Sequence, residues 1–94
     1  MEEDPAFGGL SPLLSAEAYP NPSRGDFRLT AELRRTSSAT IRLYDLQGRL
    51  LEERQRDEAA QLNEDFSLHE AGLYFVQLMV AGQSWVFKMV VMGE

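Results

Sequence analysis

The chain has 94 residues, 44% of them hydrophobic and 26% charged, with a net charge of -6 and a pI near 4.7. This length allows one domain with one small core, and the composition is that of a globular protein rather than a disordered one. The acidic balance and scattered basic residues argue against nucleic-acid binding, which needs clustered Lys and Arg. No apolar run reaches the roughly 20 residues of a membrane helix, and there is no cysteine for disulfides or thiolate metal sites.

The first 13 residues, MEEDPAFGGLSPL, contain two prolines and a Gly-Gly pair and show no hydrophobic period. Such a segment is typical of a flexible linker, so we expect the folded domain to span residues 14–94. The acidic start lacks the charged-then-apolar pattern of a secretory signal peptide. If the natural protein is exported, this chain is therefore expected to be a fragment with an added Met1.

A first strand is expected over about residues 14–19, ending at the prolines of YPNPSRG. Pro20 and Pro22 remove backbone donors and force the residues before them into extended conformations. Gly25 can then adopt the positive φ that turns the chain into the next strand. In that strand, DFRLTAEL, apolar and polar residues alternate, which is typical of a half-buried strand. The segment YPNPSRG therefore predicts a rigid corner between strands, a role that needs no ligand.

The segment TIRLYDL repeats the alternation and leads into DLQGR. There Gly48 provides the positive φ of a tight turn, and the Asp45 carboxylate can accept backbone N–H bonds. The polar segment that follows, LEERQRDEAAQLNE, has helical propensity but lacks an apolar stripe at helical spacing. It is interpreted as two solvated strands, about 49–56 and 60–68, which turn at RDEA. A short polar helix is the alternative.

The last two strands, 72–80 and 83–91, are expected to form a hairpin about Gly82. The first of them is apolar on both faces, as expected of a central strand. In the second, SWVFKMVVM, core packing is the favoured role for Trp85, Phe87 and Met89. Lys88 is alone in this apolar run, so it either guards the strand edge against aggregation or contacts a partner that adds a strand.

These patterns predict an all-β fold, an immunoglobulin-like antiparallel β-sandwich of about seven strands. The spacing of Gly72 and Tyr74 in EAGLYFV supports this prediction. It resembles the tyrosine corner of immunoglobulin-like sandwiches, in which the phenol hydroxyl bonds to nearby backbone.

Catalytic and metal chemistry is not expected. The chain has one histidine, His69, no cysteine and no nucleophile–base motif. The acidic pairs Asp57-Glu58 and Glu64-Asp65 are interpreted as solvated surface charge, because neighbouring residues of a strand point to opposite faces. We therefore predict no enzyme activity, no cofactor and no metal. On these grounds alone, an adhesion or carbohydrate-binding module of immunoglobulin-like fold remains an alternative function.

Four segments together carry a family resemblance: YPNPSRG, IRLYDLQGRLL, LHEAGLYFVQL and the terminal FKMVV. In order and spacing the chain resembles, over about residues 16–92, the type A C-terminal sorting domain of the type IX (Por) secretion system of Gram-negative bacteria. The residues that match the family's first three motifs are Tyr19, Pro20, Asn21, Pro22, Gly25, Asp45, Gly48, Arg49, Gly72 and Tyr74. The last motif matches Lys88, Met89, Val90 and Val91, which the resemblance implies are the residues recognised for secretion.

The resemblance implies a role in transport rather than catalysis. Family members cross the inner membrane, fold in the periplasm and are then carried through the outer-membrane translocon to the cell surface or the medium. A cell-surface sortase commonly removes the domain, and the expected cleavage lies in the linker before about Leu14. The implied partners are the type IX translocon and this sortase, with neither nucleic acid nor membrane insertion. An exposed last strand would also permit a homodimer.

Overall fold

The computed structural model describes residues 11–93, which contain strands and turns and no helix. The five strands are β1 (Leu13–Tyr19), β2 (Asp26–Asp45), β3 (Leu50–Ser67), β4 (Gly72–Val80) and β5 (Gln83–Val91). Neighbouring strands pair antiparallel, so the prediction of an antiparallel all-β fold is confirmed. No helix in this part of the chain could cross a membrane. Of the predicted linker, residues 1–13, the first ten residues lie outside the described part of the chain.

The prediction of an immunoglobulin-like sandwich of about seven strands is not confirmed: the described residues form five strands, because β2 and β3 each join two of the predicted strands. The predicted turn at RDEA, like the alternative of a polar helix, is replaced by continuous strand. The register between β2 and β3 shifts at residues 32–39, and Glu58 opposite this region has a positive φ of 51°. Such bulges bend a strand without ending its hydrogen-bonded ladder. The chain therefore passes from one half of the fold to the other by bending.

The bend in β2 organises one curled sheet with two halves. β1 pairs with the first half of β2 and β4 with the second half, and β5 forms the outer neighbour of β4. β3 pairs with both halves of β2 along the opposite edge. Residues from both halves form a single core, whose largest fully buried members are Leu29, Ile41, Leu43, Leu78, Met89, Val76 and Val80.

A cluster of ion pairs lies on the inner face of β3. Glu64, predicted to be solvated, is only 5% exposed because the register places it opposite the core residue Leu29. Arg54 and Arg56 donate to its carboxylate at 3.0, 2.9 and 2.8 Å. Buried carboxylates are tolerated when they are paired and hydrogen-bonded in this way. The charges of β3 therefore cover one side of the core.

The hairpin of β4 and β5 has the predicted bounds, and its alternation is as expected. Met89 is buried, and Trp85 and Phe87 are half-buried against the core. Val86 and Lys88 lie exposed on the other face. The prediction that Trp85, Phe87 and Met89 pack into the core is thereby confirmed.

Candidate functional site

The corner after β1 lies along the outer edge of β5. The Ser23 N–H donates to the Val90 carbonyl at 2.8 Å, and the Met92 N–H donates to the Ser23 carbonyl at 2.8 Å. The Asn21 side chain continues this pattern: its Nδ2 donates to the Lys88 carbonyl at 2.8 Å, and its Oδ1 accepts from the Val90 N–H at 2.9 Å. Asn21 thus offers β5 a donor and an acceptor, as a residue of a neighbouring strand would.

Gly25 ends this corner and contacts the loop between β3 and β4. Its φ is +130°, and its carbonyl accepts from the Leu68 N–H at 2.8 Å. A Cβ at this position would lie 2.5 Å from the Leu68 carbonyl oxygen. The prolines before it, Pro20 and Pro22, both follow cis peptide bonds. The predicted positive φ of Gly25 is confirmed, and its close contact with the backbone adds a second reason for glycine.

The turn between β2 and β3 brings the second motif together. Asp45 Oδ1 accepts from the N–H groups of Gln47 and Arg49, both at 2.9 Å, and the Arg49 guanidinium donates to Oδ2 at 2.7 Å. Gly48 has a φ of +85° and donates its N–H to the Asp45 carbonyl at 3.0 Å. Both predictions for this turn are confirmed. The backbone N–H of Arg49, helped by the Arg49 guanidinium, lowers the pKa of Asp45 below its ordinary value.

This lowered pKa predicts a pH-dependent effect of Asp45→Asn. Because the folded pKa lies below the unfolded value, the charged carboxylate adds stability above the unfolded pKa, and this is lost as pH falls through the folded pKa. We expect the variant to melt below the wild type at about pH 6 and the difference between the two melting temperatures to shrink as the pH falls below the ordinary pKa of an aspartate, about 4. Thermal unfolding across this range tests the prediction, and a constant difference at every pH would contradict it.

The third motif forms the predicted tyrosine corner. The buried Tyr74 directs its hydroxyl to the Glu70 carbonyl, to which it donates at 2.7 Å. This contact satisfies the one polar group of an otherwise packed ring. It also fixes the start of β4 after Gly72, where the chain enters the sheet. The prediction that the phenol bonds to nearby backbone is confirmed.

The register places all four motifs at one end of the sheet. Ser23 of the corner bridges to Val91, and Val91 pairs with Gly72. Further along β4, Tyr74 pairs with Met89 on one side and with Asp45 on the other. We call this end, formed by residues 19–25, 45–49, 72–74 and 88–91, the motif end. Segments far apart in sequence are therefore neighbours in the fold.

The four residues predicted for secretion recognition divide between two faces. Met89 and Val91 are buried at 0% and 4% exposure and belong to the core. Lys88 is exposed and Val90 half-buried, both on the outer face. Lys88 is the one charged residue in positions 71–93, and its ammonium forms no ion pair within the described residues. In the folded domain a partner can therefore contact Lys88 and Val90.

The outer face beside Lys88 is largely apolar. Lys88 pairs with Phe75, which in turn pairs with Tyr44, so the three side chains form a row across the sheet. The next row consists of Val86, whose exposed fraction is 60%, and the polar residues Gln77 and Arg42. Tyr44, Phe75 and Val86 line a shallow cleft together with Leu46. Sequence reasoning missed this surface, because β4 is apolar on both faces and the pattern does not show which face stays exposed.

Comparison with known protein families finds a match over most of the chain. The family model of the secretion system C-terminal sorting domain matches residues 17–92. A search of the curated proteins found no match. The matched segment contains all five strands except the first residues of β1, and it includes the whole motif end.

Proposed function

The chain belongs to the secretion system C-terminal sorting domain family, and on this basis we propose that the outer face of β5 is the surface that the type IX machinery recognises. Membership indicates a sorting signal that directs export to the cell surface or the medium and that interacts with this machinery. The family is one of sorting signals and not of enzymes.

The position of Lys88 carries this proposal. It places a single positive charge, with no ion pair in residues 11–93, on an exposed apolar surface formed with Phe75 and Val86. Apolar area contributes binding free energy, whereas a single charge favours one partner and one register over others. The motif-end residues Asn21 and Tyr74 then have positioning roles, because they hold the ends of β5 and β4 in place.

We also propose that the domain folds in the periplasm, before it reaches the translocon, and that a sortase later removes it. The position of cleavage is inferred from Arg34, which donates its backbone N–H to the Pro12 carbonyl at 2.9 Å and its Nε to the Ser11 carbonyl at 2.7 Å, so the chain contacts β2 from Ser11 onward. Protease sites favour exposed segments with few contacts. Cleavage is therefore proposed ahead of Ser11, in the part of the predicted linker that precedes these contacts.

A secretion assay tests the recognition surface. Residues 11–94 are fused to the C-terminus of a fluorescent protein with a signal peptide and expressed in a cell that has the type IX machinery. We expect the wild-type fusion to reach the surface or the medium and Lys88→Glu to be retained in the periplasm. A partner that recognises Lys88 presents negative charge to it, and like charges across an interface cost several kcal/mol. Delivery of the charge-reversed variant should therefore fall by roughly tenfold or more.

Lys88→Arg is the matched variant, because it keeps the charge and should keep delivery. Lys88 is exposed, so the purified Lys88→Glu domain should melt within a few degrees of the wild type. Periplasmic retention of the wild-type fusion would refute the sorting function in this assay. Normal delivery of a folded Lys88→Glu fusion would instead refute the role of Lys88 alone.

A further inference from the structure

The outer edge of β5, on the side away from β4, is only partly covered. Val90 directs both its N–H and its C=O to the corner, towards Asn21 and Ser23. Residues whose backbone groups face one neighbour alternate along an antiparallel strand, so the groups of Lys88, Val86 and Ser84 face the same way. Asn21 binds the Lys88 carbonyl, but the three N–H groups and the carbonyls of Val86 and Ser84 have no protein partner within residues 11–93.

This open stretch differs from the free edge of β3. In β3, six of the seven residues 52–58 are charged, and charged edges resist the addition of another strand. Lys88 is the only charged residue over residues 83–91 of β5, and the exposed Val86 of this strand adjoins a cleft that Phe75 also lines. An extended, weakly charged edge with unpaired donors and acceptors is suited to binding a peptide segment as a further strand.

We propose that the edge of β5 from Ser84 to Lys88 accepts an extended segment of a protein of the type IX machinery as an added strand, a proposal that rests on the proposed function. The main-chain bonds supply affinity, and side chains at alternate positions supply specificity. The corner sets the limit of this pairing, because Asn21 already occupies the Lys88 carbonyl. The added strand thus pairs with about five residues, the length of an ordinary short strand.

The chemistry of the outer face defines the partner segment. A side chain directly opposite on an added strand would have its Cβ roughly 5 Å from that of its neighbour in β5. The residue beside Lys88 is therefore acidic, since Lys88 has no ion pair among the described residues. The residue two positions away, beside the exposed Val86, is apolar. The occupant is an extended segment with an acidic residue and an apolar residue on one face.

Val86→Pro tests the backbone interaction in the secretion assay described above. Proline lacks the N–H that would donate to the added strand, and proline is accepted on an edge strand where the N–H faces outward. Pairing with β4 is retained, because the Val86 N–H points away from it. We expect delivery of the fusion to fall by roughly tenfold or more, as for loss of a required contact. Val86→Thr retains the N–H and a similar shape and loses only apolar contact, so its delivery should fall by far less than that of Val86→Pro.

Thermal unfolding of the purified variants shows that they are folded, and Ser84→Pro replaces Val86→Pro if the latter is not. Normal delivery of a folded proline variant would overturn strand addition, as would equal loss in Val86→Thr, since the side chain would then be what is read. A concentration-dependent dimer of the purified domain that Val86→Pro abolishes would assign the edge to a second copy instead. If the proposed sorting function itself is wrong, the result differs from all of these, because the wild-type fusion would then stay in the periplasm.

Discussion

Replacing Gly25 with alanine should destabilise the domain by roughly 2–4 kcal/mol. The residue has a φ of +130°, which costs an L-residue strain, and the new Cβ would lie 2.5 Å from the Leu68 carbonyl oxygen. That carbonyl belongs to backbone and cannot rotate away as a flexible side chain would. Moving it would also disturb the 2.8 Å bond between the Leu68 N–H and the Gly25 carbonyl. The corner would then lose its anchor on the loop before β4.

Gly48→Ala is the matched control. Its φ is +85°, but a Cβ there meets no heavy atom within 4 Å, so the cost is strain alone. For a domain of this size, Gly25→Ala should lower the melting temperature by roughly 10–30 °C. The melting temperature of Gly48→Ala should be well above that of Gly25→Ala. Equal losses in the two variants would contradict the role assigned to the contact with Leu68.

Met89→Ala should cost roughly 2–5 kcal/mol, the usual range for truncating a fully buried side chain. Met89 is 0% exposed, in the strand that also presents Lys88 to solvent. Denaturant unfolding measures the loss as a lower midpoint with an unchanged slope. In the secretion assay any loss of delivery by Met89→Ala should follow from its lower stability, whereas Lys88→Glu should lose delivery while as stable as the wild type.

Val86→Ala provides the control for Met89→Ala on the same strand. Val86 is 60% exposed, so its truncation should change stability by less than about 0.5 kcal/mol. A similar loss in both variants would mean that position on β5, and not burial, sets the cost. A small loss in Met89→Ala would contradict its place in the core.

Local patterns were sufficient for elements whose contacts are close in sequence. Alternation and the glycine at position 82 gave the bounds of β4 and β5, which the structure shares. The contacts of Asp45 with Arg49 and of Tyr74 with Glu70 each span four residues, so turn chemistry could predict them.

Long-range pairing explains what the sequence did not reveal. The bend in β2 falls in polar residues that interrupt the alternation, a pattern shared by a loop and a bulged strand. Glu64 is buried because of its register with β2, which neighbouring residues do not determine. The contact of Asn21 with Lys88 joins residues 67 positions apart, so no local signal identifies β5 as its partner.

The ion-pair cluster of β3 has a consequence for self-association of the domain. Head-to-tail growth of a filament requires two different complementary surfaces on each molecule. An open β5 would supply one, but β3 bears Arg54, Arg56 and Glu64 on its inner face and further charges along its length. Pairing there would desolvate these charges without new partners. The edge of β3 therefore does not provide the second surface, so strand addition at β5 does not propagate through β3 into a filament.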